Sequence, residues 1–340
     1  MKHLSMLLAV ILIVGGIVLS NQTPAAAQDA AAFYKGKNVS FIVPNKPGGG
    51  YDFYARFMAP HLEKHTGATM VVTNKPGGGG AVGGNIVYRA KPDGLTIGIM
   101  NMTGAIPAQI AEAKGIDFDL KKFIWLARLN DEPQVFVVGA KSKYKSWNEI
   151  LQAKETIKLS STGTTGSTYL DLLVLKLAFD LKTFDIITGF SGTSDADLSV
   201  IRGEVEGTAS SVGSKIKKIA EGDFRPLLVI AEEKVKGLED IPLVYDFPLS
   251  VEGKKIVDTY IGMMNVARSM MTTPGVPADR VAYLREAFRK TLTDEKVLDQ
   301  AEKMDRPIAW MDGEKVLQFV ERSFREVPPV FANELKSVMK

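Results

Sequence analysis

The chain writes one corner twice. The segments VPNKPGGGYDFYAR (43–56) and VTNKPGGGGAVGG (72–84) share the six residues NKPGGG, at 45–50 and 74–79. Each copy follows a short β-branched run, NVSFIVP (38–44) and TMVVTN (69–74). Each also precedes apolar residues at helical spacing: Phe53, Phe57, Met58 and Leu62 after the first, Val82, Ile86 and Val87 after the second. GLTIGIM (94–100) supplies a third strand. Strand, loop and helix repeated in this order predict a parallel sheet with crossover helices. Ligands of such sheets bind outside the carboxyl ends of the strands, where both corners belong, side by side if their strands are neighbours.

Glycine has a physical purpose at such a corner. A Cβ would keep backbone amides from pointing into a small cavity, and glycine tolerates φ > 0 where the turn needs it. A helix N-terminus behind the loop adds unpaired N–H groups and the positive end of its dipole. Two such corners facing one cavity make an anion site without a fixed cation. Glycines that merely permit a tight turn explain one loop equally well; two identical loops favour a ligand, although a local duplication also yields the identity. A Cβ at Gly49 or Gly79 is expected to clash with the solute or to force the turn out of its φ > 0 region. Lys46 and Lys75, in exposed turns, are placed to steer an anion rather than clamp it. A P-loop is excluded because Gly-Lys-Ser/Thr is missing: the loops end in Tyr51–Asp52 and Gly80–Ala81. A G-x-G-x-x-G match starting at Gly78 is weak, since no acidic residue follows suitably on an adjoining strand.

Further runs, QVFVVGA (134–140), IKLSSTG (157–163), FDIITGF (184–190), EVEGTASS (204–211) and RPLLVIA (225–231), read as strands alternating with helices, and 277–340 is mostly helical. SSTGTTGST (160–168) and GFSGTSDAD (189–197) offer hydroxyls and amides at strand ends, each before a helix. A length of 340 residues permits two domains with their own cores. The opening, one lysine, an apolar run from 4 to 19 and then small residues, predicts a signal peptide over 1–27 and a secreted, periplasmic protein. Lacking cysteine, the chain has no disulfide, thiolate nucleophile or thiol-bound metal. The balance of 42 basic against 39 acidic residues, net +3, carries no nucleic-acid signature.

Catalytic readings are thin. His61 and His65, four apart on the first helix, share a face, but no third ligand is evident, so no metal is expected. No G-x-S-x-G elbow exists. Asp195 and Asp197 are expected to cap the helix after Gly192. Asp52 reads as a first-turn acid offsetting the helix dipole, a loop anchor, or a contact for a ligand amino group.

These motifs resemble those of the extracytoplasmic solute-binding receptors of tripartite tricarboxylate transporters, the Bug proteins. The first corner, with one additional glycine, is similar to the family's P-x-x-P/A-G-G-x-x-D-x-x-A-R, and the second fits V-x-N-x-P-G-A/G-G-G-x-x-G throughout. AKPDGLTI (90–97), STGTTGSTYL (161–170), TGFSGTSDADLSVIRGEVEG (188–207) and TTPGVPADRVAYLREAF (272–288) extend the likeness over the mature chain. Tyr169 stands where a histidine is usual, Phe190–Ser191 replace a tyrosine-centred pair, and VARSMMTTPGVP lacks the usual aromatic strand.

The resemblance implies an α/β, type II periplasmic-binding-protein fold. Two lobes, 35–137 plus 268–340 and 138–267, are joined by two crossing strands near 134–140 and 265–271, with a ligand cleft between. It implies a monomeric, non-enzymatic receptor without cofactor that delivers a small organic carboxylate to membrane permease subunits. The alternatives are a periplasmic enzyme on the same scaffold and a ligand-sensing module for a signalling partner. Expected ligand contacts from the first corner are Asn45, Gly48, Gly49, Gly50, Tyr51 and Asp52. The second corner adds Gly78, Gly79, Gly80 and Ala81, and the third strand's end adds Thr103. The second lobe contributes Ser161, Thr164, Gly166, Ser167, Thr168 and Tyr169, then Phe190, Ser191, Gly192 and Asp195. Tyr51 is expected at the mouth of the cleft, faced by Tyr169 and Phe190, and the lobes are expected to close on the solute.

Overall fold

The computed structural model describes residues 25–164, 166–304 and 306–339. Residues 1–24 of the expected signal segment lie outside these; 25–27 open helix α1 (Ala25–Tyr34). The first lobe continues with β1 (Asn38–Val43), α2 (Gly50–Thr66), β2 (Thr69–Asn74), α3 (Ala81–Tyr88), β3 (Thr96–Asn101), α4 (Met102–Ile110) and β4 (Ile124–Asn130). The second lobe holds β5 (Gln134–Gly139), α5 (Trp147–Gln152), β6 (Ile157–Ser160), α6 (Ser167–Ala178), β7 (Phe184–Ile187) and α7 (Thr193–Ile201). It goes on with β8 (Gly207–Ser211), α8 (Val212–Ala220), β9 (Phe224–Ile230) and α9 (Val251–Met264). The chain then returns as β10 (Arg268–Thr272), α10 (Ala278–Leu292), α11 (Glu295–Lys303), β11 (Met311–Asp312), α12 (Gly313–Arg325) and α13 (Pro329–Val338).

Two α/β lobes result, one on the sheet β11-β4-β10-β3-β1-β2, the other on β7-β6-β8-β5-β9. Both sheets are mixed, which corrects the parallel expectation. β1, β2 and β3 are parallel, as are β6, β7 and β8. β10 runs antiparallel to β3 and β4, and β5 antiparallel to β8 and β9. The cause is the chain path. β5 and β10 follow the two passages between lobes, 131–133 after β4 and 265–267 after α9, and each enters its new sheet at the end where its neighbours stop. The stretches expected to cross, 134–140 and 265–271, are instead mostly strand within one sheet, so the expected boundary after 137 falls inside β5.

That path positions the loops. Arg268, at the start of β10, pairs with Asn101 and Asn130, the last residues of β3 and β4. Gln134, at the start of β5, pairs with Ser211 and Ile230, the last of β8 and β9. The carboxyl ends of β1–β3 and of β6–β8 are therefore the ends of their sheets nearest the passages.

Packing follows from the same patterns. Tyr54, Met58 and Leu62, one turn apart on α2, bury against Phe41, Ile99 and Phe288. The helix ends at Gly67, whose φ of 69° and N–H bond to the Glu63 carbonyl make a left-handed cap. A second core is continuous across the lobes, joining Ile42, Met100 and Trp125 to Phe136, Leu159 and Tyr260. Helix α4 touches α9, and α9 touches α12, along this seam.

Gly83 lets α3 lie directly on the first corner. A Cβ there would stand 2.8 Å from Pro44 Cβ and 2.9 Å from its Cα. Gly83→Val should therefore cost about 1–3 kcal/mol through overpacking. Gly213→Ala, in open space on α8, should be neutral or slightly stabilising. Urea-unfolding midpoints of the two variants check this; equal midpoints would mean that the corners do not depend on this contact.

Candidate functional site

β1 and β2 end in register, Val43 opposite Asn74, so both NKPGGG loops leave adjacent strands at one level. Asp52, in the first turn of α2, ties them together. Its Oδ2 accepts the Gly48 N–H at 2.9 Å, and its Oδ1 accepts Asn74 Nδ2 and Arg56 Nε, each at 2.9 Å. Asn74 Nδ2 also donates to the Asn45 carbonyl at 3.0 Å, and Arg56 Nη2 donates to Asn74 Oδ1 at 3.0 Å. Burial pushes the Asp52 carboxyl up, but the Gly48 and Asn74 donors and the Arg56 guanidinium outweigh it and hold the group below the usual carboxylate range. Of the roles read for Asp52, the structure contains two, the first-turn acid of α2 and the loop anchor. Asn45 Oδ1, beside it, is buried without a partner.

In the second loop, Gly77, Gly78, Gly79 and Gly80 have φ of 139°, 55°, 63° and 107°. Four successive residues in this region exclude any side chain with a Cβ except at a conformational cost. In the first loop the left-handed residue is Gly48, at 83°. Gly49 corrects the expectation: with φ −82° and ψ 171° it is ordinary extended backbone, and a Cβ would sit 3.7 Å from the Lys46 carbonyl. Gly49, Gly80 and Asn101 precede α2, α3 and α4, and none of these helices has a side-chain cap at its N-terminus. Gly50 and Ala81 are the first residues of α2 and α3. Gly104 on α4 lies 4.0 Å from the Gly79 carbonyl, measured from its would-be Cβ, and buried Thr103 donates to Asn101 Oδ1 at 2.7 Å. Three helix N-termini without side-chain caps thus gather at the carboxyl ends of β1–β3. At those of α3 and α4, Ala81, Val82 and Met102 already donate to the Gly78, Gly77 and Ala267 carbonyls.

The second lobe repeats the theme with hydroxyls. Buried Thr168 Oγ1 accepts the Thr162 N–H at 3.1 Å and lies 2.9 Å from Thr162 Oγ1 and 3.3 Å from Ser161 Oγ. Thr164, Gly166 and Ser167 form the half-buried turn into α6, where Gly166 precedes the helix without a side-chain cap. The neighbouring loop joins through the Gly189 N–H to the Thr162 carbonyl at 3.3 Å. There Ser191 donates to Asp195, and extended Gly192 precedes α7. Asp195 and Asp197 do not cap α7. Asp197 is buried and takes Lys215 and Lys218 from α8, so it pins two helices together.

The aromatic expectation also changes. Tyr51 is 9% exposed and packs under a guanidinium rather than standing at a mouth. Tyr169 is half-buried against the shared core, and Phe190 is half-buried on its loop. The cation over Tyr51 is Arg268, which sequence reasoning missed. Its Nη2 bonds Glu132 at 2.6 Å, its Nη1 donates to Asn130 Oδ1 at 3.2 Å, and its carbon centre lies 5.1 Å and 5.4 Å from the Tyr51 and Tyr54 rings. The available signal was a lone arginine in an otherwise uncharged run, MMNVARSMMTT. Asp171 on α6 was missed as well. Burial pushes its carboxyl up to about 8, Tyr260 donates to it at 2.5 Å, and its other oxygen is buried without a partner.

Two surface cavities, of about 1070 and 480 Å³, lie elsewhere. One is bordered by Tyr245, Lys254, Asp258 and Arg322, the other by Arg128, Asp131, Pro133 and Asn265, and no expected ligand contact lines either. The glycine loops are exposed surface at 46–49 and 75–79 and so form no enclosed cavity by themselves. Among the described residues, no group of three His, Asp or Glu side chains gathers as for a metal, and no helix is long and apolar enough to cross a membrane.

A family model described as the tripartite tricarboxylate transporter family receptor matches residues 54–332. The chain belongs to that receptor family. A solute-binding protein from Polaromonas, solved without ligand, is 25% identical, with a TM-score of 0.72 over 89% of this chain and 99% of its own. MatC from Rhodopseudomonas palustris, solved with bound malate, is 19% identical, with a TM-score of 0.64 over 89% and 99%. A Pseudomonas protein from the tcbD–tcbE intergenic region is 24% identical over 68% of this chain and 69% of its own. The receptor's two mixed-sheet lobes are those of a periplasmic-binding-protein-like fold.

In this receptor Asp52→Ala leaves the Gly48 N–H unpaired and Asn74 Nδ2 with the Asn45 carbonyl alone, and should cost about 1–3 kcal/mol. The native carboxyl titrates lower than in the unfolded chain, so its contribution is present above the unfolded value and is lost as pH falls through the folded one. The difference in stability between wild type and Asp52→Ala should therefore shrink below about pH 4. Chemical denaturation from pH 7 to 3 measures it; a difference that stays constant would mean the ionised carboxylate does not hold the loops.

Proposed function

We propose that this receptor captures a small organic carboxylate between its lobes, in the periplasm, and hands it to the permease subunits of a tripartite transporter. It acts as a monomer on a type II binding-protein frame, whose two short passages serve as hinge, and it needs no cofactor. The carrying observation is the joined corner: two glycine loops held by one carboxylate, with three helix N-termini that lack side-chain caps beside them. Backbone donors so arranged suit a carboxylate, which would take hydrogen bonds of about 1.5–3 kcal/mol each against its own desolvation. A net of roughly 8 kcal/mol corresponds to micromolar affinity. The malate held by MatC supports the ligand class. The hydroxyl loops around Ser161, Thr168 and Ser191 would take the solute's other end, which favours closure by contact with both lobes.

An enzyme on this scaffold asks for a general base. The one acid of the first corner, Asp52, is kept ionised with both oxygens bonded, which disfavours that role.

A thermal-shift screen of aliphatic and aromatic mono-, di- and tricarboxylates tests the reading. A ligand at 100 times its Kd should add about 2.7 kcal/mol of stability. Gly79→Val, at φ 63°, should weaken that ligand more than tenfold, about 1.4 kcal/mol. Gly49→Ala, at φ −82° with room for a Cβ, should bind as wild type. If no carboxylate stabilises the protein, or if Gly79→Val binds normally, the loops are only turns.

A further inference from the structure

We propose that Arg268 fixes the ligand's anionic group in this receptor, and that Glu132 is the internal counter-ion with which the ligand competes. The inference rests on the carboxylate reading and adds a side-chain cation to a site otherwise built of backbone donors.

Position comes first. Arg268 opens β10 opposite Asn101, at the end of the sheet where the glycine loops lie. Its Nη2 stands 3.5 Å from where a Cβ on Gly50 would be, so the guanidinium borders the first turn of α2. Electrostatics then singles the placement out. A cation beside a helix N-terminus faces the positive end of the dipole, an unfavourable pairing unless an anion joins both. Asp52 is not available for this, being shared among Gly48, Asn74 and Arg56. Glu132 is the carboxylate bonded to Arg268, and it belongs to the first passage while Arg268 follows the second.

The unsatisfied groups agree. Arg268 Nε and the Tyr51 hydroxyl are both buried without a hydrogen-bond partner, and the Tyr51 ring lies against the guanidinium. An N–H and an O–H left over on two side chains in contact lack an acceptor, which an anionic oxygen supplies. Glu132 satisfies part of this demand from within the chain. A ligand carboxylate arriving at α2 meets its attraction to Arg268 and its repulsion from Glu132 together.

Opposite signs follow for the two partners, and a purely structural ion pair does not give them. Succinate, adipate, citrate and benzoate are titrated calorimetrically into wild type, Arg268→Gln, Arg268→Lys and Glu132→Gln, with thermal unfolding to verify folding. For the tightest of these probes, Arg268→Gln should lose about tenfold or more in affinity, and Arg268→Lys less than that. Glu132→Gln should bind about threefold tighter or more, because the competing charge is gone. Arg268→Gln within about twofold of wild type, or Glu132→Gln weakening in step with it, overturns the proposal. Should Arg268→Gln fail to fold, Glu132→Gln decides by the sign of its change. If none of the probes binds wild type, the carboxylate reading falls, and this inference with it.

Discussion

The Asp52 carboxylate is the point on which the proposed site depends. It sits on α2, yet it bonds the loop before that helix and the asparagine that ends β2. It adds to the ties that the Asn74–Asn45 and Lys75–Val43 bonds already make between the corners, where glycine gives a loop freedom rather than form. Side chains of Asp52, Asn74 and Arg56 bond one another and the loop backbone, and no side chain caps the start of α2, whereas the Ala81 and Val82 N–H groups close on the Gly78 and Gly77 carbonyls and that of Met102 on Ala267. In the proposed site such backbone donors are held in place by the sheet behind them, and the Arg268 guanidinium borders the first turn of α2.

The second constraint is the chain path between the sheets. The two passages are three residues each, 131–133 and 265–267. They place the carboxyl ends of each set of parallel strands at the end of its sheet beside a passage and make β5 and β10 antiparallel to their neighbours. The Glu132–Arg268 bond joins one passage to the strand after the other. The core running from Trp125 to Tyr260 beneath α4 and α9 keeps the lobes in contact along the seam. Any motion between lobes must therefore slide or bend about these few residues.

What could be read from the sequence was local. Strand–glycine–helix periodicity and the repeated NKPGGG placed the first-lobe corners, because turn chemistry and amphipathic spacing act over a few residues. What escaped was set by partners far along the chain. Glu132 is 136 residues from Arg268, and Asp197 meets Lys215 from the next helix, so a pattern of nearby residues made it look like a cap. The antiparallel strands were hidden for the same reason: direction is decided by which sheet edge a strand enters, not by its own residues. The Gly48–Gly49 error is of another kind. Both glycines suit a left-handed turn, and only the three-dimensional path shows that the first uses it.

Backbone amide chemical shifts, followed while a stabilising carboxylate is titrated into isotopically labelled protein, test the central claim most directly. The largest changes should fall on the amides of Gly48–Asp52 and Gly78–Val82, with a second set at Ser161–Thr168 if the solute reaches across to the other lobe. Changes concentrated instead around Tyr245, Asp258 and Arg322, at the cavity beside α9 and α12, with the glycine loops silent, would contradict it.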